Sequence, residues 1–120
     1  MYHQNEEIGL LALEAILRNA TKFSEEEQNS RILKLYIDSL TSKNEKVAIL
    51  VTSMMGETYQ KLEQSIIKAE ASCAKFWNAL IEVASSKNEK IVNNLIYNLP
   101  GILLLSKRYM RVDPVSQIYT

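Results

Sequence analysis

The chain has 120 residues, 47% hydrophobic and 23% charged, the size and balance of one globular domain. Its 14 basic residues offset 14 acidic ones, so the positive excess typical of a nucleic-acid binder is missing. Three glycines and two prolines are too few to punctuate a sandwich or barrel of short strands, and a single cysteine, Cys73, excludes an internal disulfide.

The opening stretch "MYHQNEEIGLLALEAIL" carries acidic residues where a signal peptide carries basic ones. No apolar run nears the roughly 18 residues of a membrane span. With one cysteine, a reducing compartment is the simpler setting, and the chain is expected to be soluble and cytoplasmic.

The first predicted helix covers 5–20, with an apolar stripe at Ile8, Ala12, Ile16 and Ala20. Ser24 followed by "EEEQ" combines a capping hydroxyl with carboxylates in a first turn, and opens a second helix over 25–41. A third helix is predicted over 44–62 and a fourth over 69–85, with the break between them near 65–69. The third adds Ile49, Leu50 and Met54 to its stripe, as a helix with neighbours on several sides would. The fifth, over 88–108, contains Pro100-Gly101, where a kink is expected. The tail "VDPVSQIYT" has no helical stripe, and Asp113-Pro114 reads as a turn.

"SKNEK" occurs at 42–46 and again, 44 residues later, at 86–90. The match extends into the flanking apolar positions. Ile91, Val92, Leu95, Leu99, Ile102 and Leu103 align with Val47, Ala48, Val51, Met55, Thr58 and Tyr59. Upstream, Phe76, Trp77, Leu80, Ile81 and Ala84 align with Ile32, Leu33, Tyr36, Ile37 and Leu40. A partial copy at 5–8, "NEEI", echoes "NEKV" at 44–47. The chain therefore reads as one domain with a partial repeat over 5–21, full repeats over 25–63 and 69–108, and a tail over 109–120. Each repeat is helix, polar turn, helix, with Ser and Asn placed to cap and Glu at the positive N-terminus that follows.

With its apolar first helix, polar turn, Lys90 and "NLPGIL", the segment "FWNALIEVASSKNEKIVNNLIYNLPGILLL" resembles a HEAT repeat. More narrowly it is similar to repeats in scaffold and regulatory subunits of type 2A and type 4 serine/threonine phosphatases. The resemblance implies an all-α, right-handed solenoid of antiparallel helix pairs with about five principal helices. Asn44 or Asn88 and Lys46 or Lys90 stand where such repeats often carry Asp and Arg. Two units and a half are few for such an array, so a longer solenoid or a partner is expected to cover the rest.

His3 is the only histidine, Cys73 has no histidine near it in sequence, and "SEEEQ" lacks the Asp/Asn-and-Gly pattern of a calcium loop. No glycine-rich phosphate loop or nucleophile elbow is present. The expectation is a non-catalytic protein without metal or cofactor, acting as a scaffold or regulatory subunit, with a phosphatase catalytic subunit or a larger assembly as partner. In HEAT proteins the second helices line the partner-holding face, which by resemblance marks Asn93, Asn94, Tyr97 and Asn98; solvated helix positions are the plainer alternative. "SKRYMR" places Lys107, Arg108 and Arg111 around Tyr109, a basic segment that would dock an acidic partner, a membrane or nucleic acid. Cations at a helix C-terminus are also explained by the helix dipole. A small helical-bundle enzyme is the remaining alternative, and it would need a deep cavity with convergent polar groups.

Overall fold

A computed structural model describes residues 2–110, with side-chain surroundings described for 6–105. Helices are the only regular elements among the described residues. Helix α1 spans Tyr2–Arg18 and ends in a 3-10 turn, Ala20–Lys22. Helix α2 covers 25–40, with a π-helical stretch at Gln28–Ile32 between its two α segments. Then come α3 (Glu45–Ser53), α4 (Met55–Lys68), α5 (Glu70–Ala84) and α6 (Glu89–Met110). None is long and apolar enough to cross a membrane among the described residues.

Six helices stand where the sequence predicts five, because the third is broken at Met54 and then runs on to Lys68 instead of stopping at 62. Met54 leaves helical geometry at φ −113° and ψ 16°. Three hydroxyls bond back to carbonyls around it: Thr52 to Ala48, Ser53 to Leu50, and Thr58 to Met54. Such side chains compete with the backbone ladder and bend helices. The break predicted near 65–69 falls at Ala69, whose backbone is extended. At Ser24 the predicted cap forms, with the Glu27 N–H donating to Ser24 Oγ at 3.2 Å. Helix α6 continues through Pro100, which is exposed, so the carbonyl its ring cannot bond is left to water.

The two "SKNEK" segments fold alike. In each, the Asn N–H donates to the Ser Oγ two residues earlier at 3.1 Å (Asn44 to Ser42, Asn88 to Ser86). In each, the Asn Oδ1 accepts from the N–H two residues later, Lys46 at 3.0 Å and Lys90 at 2.9 Å. These are N-caps worth about 1 kcal/mol apiece. The leftover Asn amide reaches a glutamate of an earlier helix in both cases. Asn44 Nδ2 donates to Glu6 Oε1 at 3.3 Å, and Asn88 Nδ2 to Glu45 Oε2 at 3.2 Å.

Helix α1 packs on α3 and α4, α3 packs on α6, and α2 and α5 pack on each other and on α4. Between them lies one core. Its centre is aromatic: Phe76 of α5 lies 5.8 Å from Tyr36 of α2 and 5.1 Å from Tyr59 of α4, ring centre to ring centre. Such pairs add about 0.5–1.5 kcal/mol beyond the burial of their area. Leu17, Met55, Leu62, Ile66 and Ile102 belong to the same core, each fully buried. Tyr36 also donates its hydroxyl to the Met55 carbonyl at 2.8 Å, tying α2 to the start of α4. Five stripe positions, Ile8, Ala12, Ile81, Ala84 and Leu103, are exposed rather than buried.

Candidate functional site

The four polar residues marked on α6 by the sequence fall into two pairs. One turn of helix separates Asn94 from Asn98, and both amides point at α3 and α4. Asn94 Nδ2 donates to the Ile49 carbonyl and to Thr52 Oγ1, each at 3.2 Å. Asn98 Nδ2 donates to the Thr52 carbonyl at 3.2 Å and to the Asn94 carbonyl at 2.8 Å. Asn98 Oδ1 accepts from the Gly56 N–H at 3.3 Å. In an unbroken helix the Gly56 N–H would bond the Thr52 carbonyl itself. The amide of Asn98 therefore occupies the gap that the break at Met54 opens, and satisfies both backbone groups in a half-buried place where neither reaches bulk water freely.

Asn93 and Tyr97 point the other way. Tyr97 is 86% exposed, and neither residue has a hydrogen-bond partner among the described residues. Helical spacing puts Leu104, also exposed, on the same side two turns on from Tyr97. Tyrosine is among the residue types enriched at protein interfaces. Side chains of Lys107 and Arg108, and the whole of Arg111, lie outside the described residues.

The neighbouring second helices present a different surface. Arg18 of α1 reaches Glu57 of α4 at 3.4 Å and Glu14 at 3.5 Å. Lys61 bonds Glu57 at 3.2 Å and caps the C-terminus of α1 through the Arg18 carbonyl at 2.7 Å. Lys46 bonds Glu6 at 3.4 Å. These charges are matched to one another.

A groove of about 690 Å³ runs between α2 and α5, floored by Leu33, Ile37 and Ala79 and rimmed by Arg31, Lys34, Lys75, Asp38 and Glu82. Its lining includes neither histidine nor cysteine, so no thiolate or imidazole faces it. Among the described residues no three His, Cys, Asp or Glu side chains converge as metal ligands would. Cys73 is half-buried.

Reasoning from sequence missed the partners of Asn94 and Asn98. A signal exists in "TSMMGET": two hydroxyl residues, a glycine and a third hydroxyl within seven positions of a helix. Read as a break, it leaves a pair of backbone groups that some neighbour must satisfy. Comparison with protein-family models, with curated proteins and with solved structures gives no match for this chain.

Proposed function

We propose that the chain is a non-catalytic scaffold or regulatory subunit that binds a protein through the exposed face of α6, with Tyr97 as the anchor and Asn93 and Leu104 beside it. Tyr97 carries the reading: an aromatic 86% exposed and unpartnered among the described residues gains most from a partner that covers it. The repeat register, with its two matching turns and their Asn-to-Glu bonds, supports a HEAT-like arrangement of antiparallel helix pairs stacked as a right-handed solenoid. The resemblance to phosphatase subunits then names a serine/threonine phosphatase catalytic subunit as the first partner to test. Asn94 and Asn98 drop out of the binding face, since their amides are engaged within the chain.

The test is direct binding of the purified chain to a purified type 2A or type 4 catalytic subunit. Tyr97→Ala should weaken binding by 10-fold or more, on the order expected of an interface anchor, with an unchanged melting curve. Binding that survives Tyr97→Ala and Leu104→Glu together removes this face from consideration. No binding to either catalytic subunit removes the phosphatase assignment.

A further inference from the structure

The repeat register assigns two sides to every second helix, and the chain leaves one of each uncovered. One side receives the following unit. In α1 it carries Glu6, Leu13 and Leu17; in α3 and α4, shifted by 39 residues, it carries Glu45, Thr52 and Gly56. Both sets are covered: Leu13 and Leu17 are buried, and Thr52 and Gly56 lie beneath Asn94 and Asn98. The matching set in α6, shifted by a further 44, is Glu89, Ile96 and Pro100, with Leu103 one turn on. Ile96 is 63% exposed and Leu103 50%. Glu89, counterpart of the two carboxylates that accept from Asn44 and Asn88, has no partner among the described residues.

The opposite side faces the preceding unit. In α6 it presents Ile91, Asn94 and Asn98; in α3 and its break, Val47, Leu50 and Met54, all buried or half-buried. In α1 the corresponding residues are Ile8, Leu11 and Ala15, and here Ile8 is 58% and Leu11 67% exposed. Ile8, Leu11, Ile96 and Leu103 are thus half or more exposed at positions whose counterparts in α3 and α4 (Val47, Leu50, Thr52 and Tyr59) are buried or half-buried.

The two bare sides are complementary in kind. Beyond Glu6, which bonds Asn44 and Lys46 at one end, the covered set in α1 is leucines; the covered set in α3 and α4 beyond Glu45 is small, which admits an asparagine clasp. With Ile96 and Pro100 in place of Thr52 and Gly56, α6 has no room for a clasp and suits an apolar face. Ile8, Leu11 and Ala15 form such a face, with a small residue among them for close approach.

We propose that a second copy of this chain docks there: α1 of one molecule stacks on α6 of the next, repeating between molecules the step that relates units within one. The interaction rests on the scaffold reading above and uses a stripe of α6 distinct from Tyr97. Because it joins two different surfaces, it is heterologous and grows in a row unless the rotation closes a ring.

Sedimentation velocity of the full chain over a concentration series tests this. The wild type should shift from monomer to dimers and higher species as concentration rises toward about 1 mM, the weak end of measurable association. Leu11→Glu spoils one side and Ile96→Glu the other, so each variant alone should stay monomeric. Mixed, they should give a 1:1 dimer of doubled mass that does not grow, because each retains the side the other lacks. Both positions are exposed, and unchanged circular-dichroism melts show that the variants fold. A wild type monomeric throughout overturns the proposal, as does Leu11→Glu protein that self-associates, which would mean two α6 faces meeting. Tyr97→Ala separates the two readings: it should stack like wild type while losing the phosphatase subunit.

Discussion

Asn98 lies so close to Gly56 that a β-carbon at position 56 would stand 2.8 Å from Asn98 Oδ1. The contact joins a break in one helix to a side chain of another, and each requires the other. The break exposes the Gly56 N–H and the Thr52 carbonyl; Asn98 satisfies both; and only glycine admits the amide at that distance. Here glycine is selected by close approach, since its φ is not positive.

Gly56→Ala measures that fit. Alanine favours a helix over glycine by about 1 kcal/mol, but it would push away an amide holding three hydrogen bonds, each worth about 0.5–1.5 kcal/mol. A net loss of about 1 kcal/mol is expected in urea unfolding. Asn98→Ala should cost about 1–3 kcal/mol by leaving buried backbone groups unsatisfied. In the Asn98→Ala background the clash is gone and Gly56→Ala should become neutral or stabilising. Equal effects of Gly56→Ala in both backgrounds would rule out the clasp.

The two turns invite a comparison of cap against cross-link. Asn44→Ala and Asn88→Ala each lose an N-cap, at about 1 kcal/mol. Glu45→Gln keeps an acceptor oxygen for Asn88 and loses only an exposed charge-assisted bond, so less than about 0.5 kcal/mol is expected. Thermal unfolding should therefore rank Asn88→Ala clearly below Glu45→Gln. Equal losses would mean that the bond between units, rather than the cap, holds the turn.

How far the sequence could be read follows from which forces are local. Helical periodicity, the Ser24 cap and the two Asn caps are set within four residues, and each is visible as a pattern. The break at Ala69 was accessible only through the 44-residue register, because no glycine or proline marks it. The break at Met54 was missed because its cause is spread over three hydroxyls and its cost is met by Asn98, 42 positions from Gly56. Asn94 and Asn98 show the same limit from the other side. A polar residue off the apolar stripe looks solvated until the neighbouring helix offers it unsatisfied backbone. The exposed Ile8 and Ile81 match buried or half-buried positions in alignment (Ile91, Val47 and Ile37), yet exposure depends on which neighbour is present, and periodicity carries no information about that.

Tyr36 provides a pH readout of the core. Complete burial, with a smaller contribution from Tyr59, raises its phenol well above the ordinary value of about 10. The folded state therefore keeps this proton when the unfolded chain would release it. Stability from this group is intact below pH about 10, and falls above it by about 1.4 kcal/mol per pH unit until the folded-state value is reached. Followed by phenolate absorbance, one tyrosine should ionise only together with the loss of helix. Tyr36→Phe should lose about 1 kcal/mol at neutral pH with its bond to Met55 and flatten the alkaline decline. A decline of unchanged slope in that variant would move its origin to another group.

Glu63 gives the opposite kind of prediction, an improvement. It is the one charged side chain among the buried described residues, at 7% exposure, and its Oε2 atom has no hydrogen-bond partner among them or the other described residues. A buried acceptor left unsatisfied costs about 1–3 kcal/mol, more when charged. Methionine has similar length and no polar atom that needs a partner, and it adapts to irregular packing. Glu63→Met should therefore raise stability at neutral pH by about 1–2 kcal/mol, seen as a melting temperature higher by about 4–8 °C. Glu63→Gln removes the charge but brings an amide N–H₂ that also needs partners, so its gain should be smaller. If Glu63→Met instead destabilises the fold, the packing and remaining contacts of the carboxylate outweigh its unsatisfied oxygen.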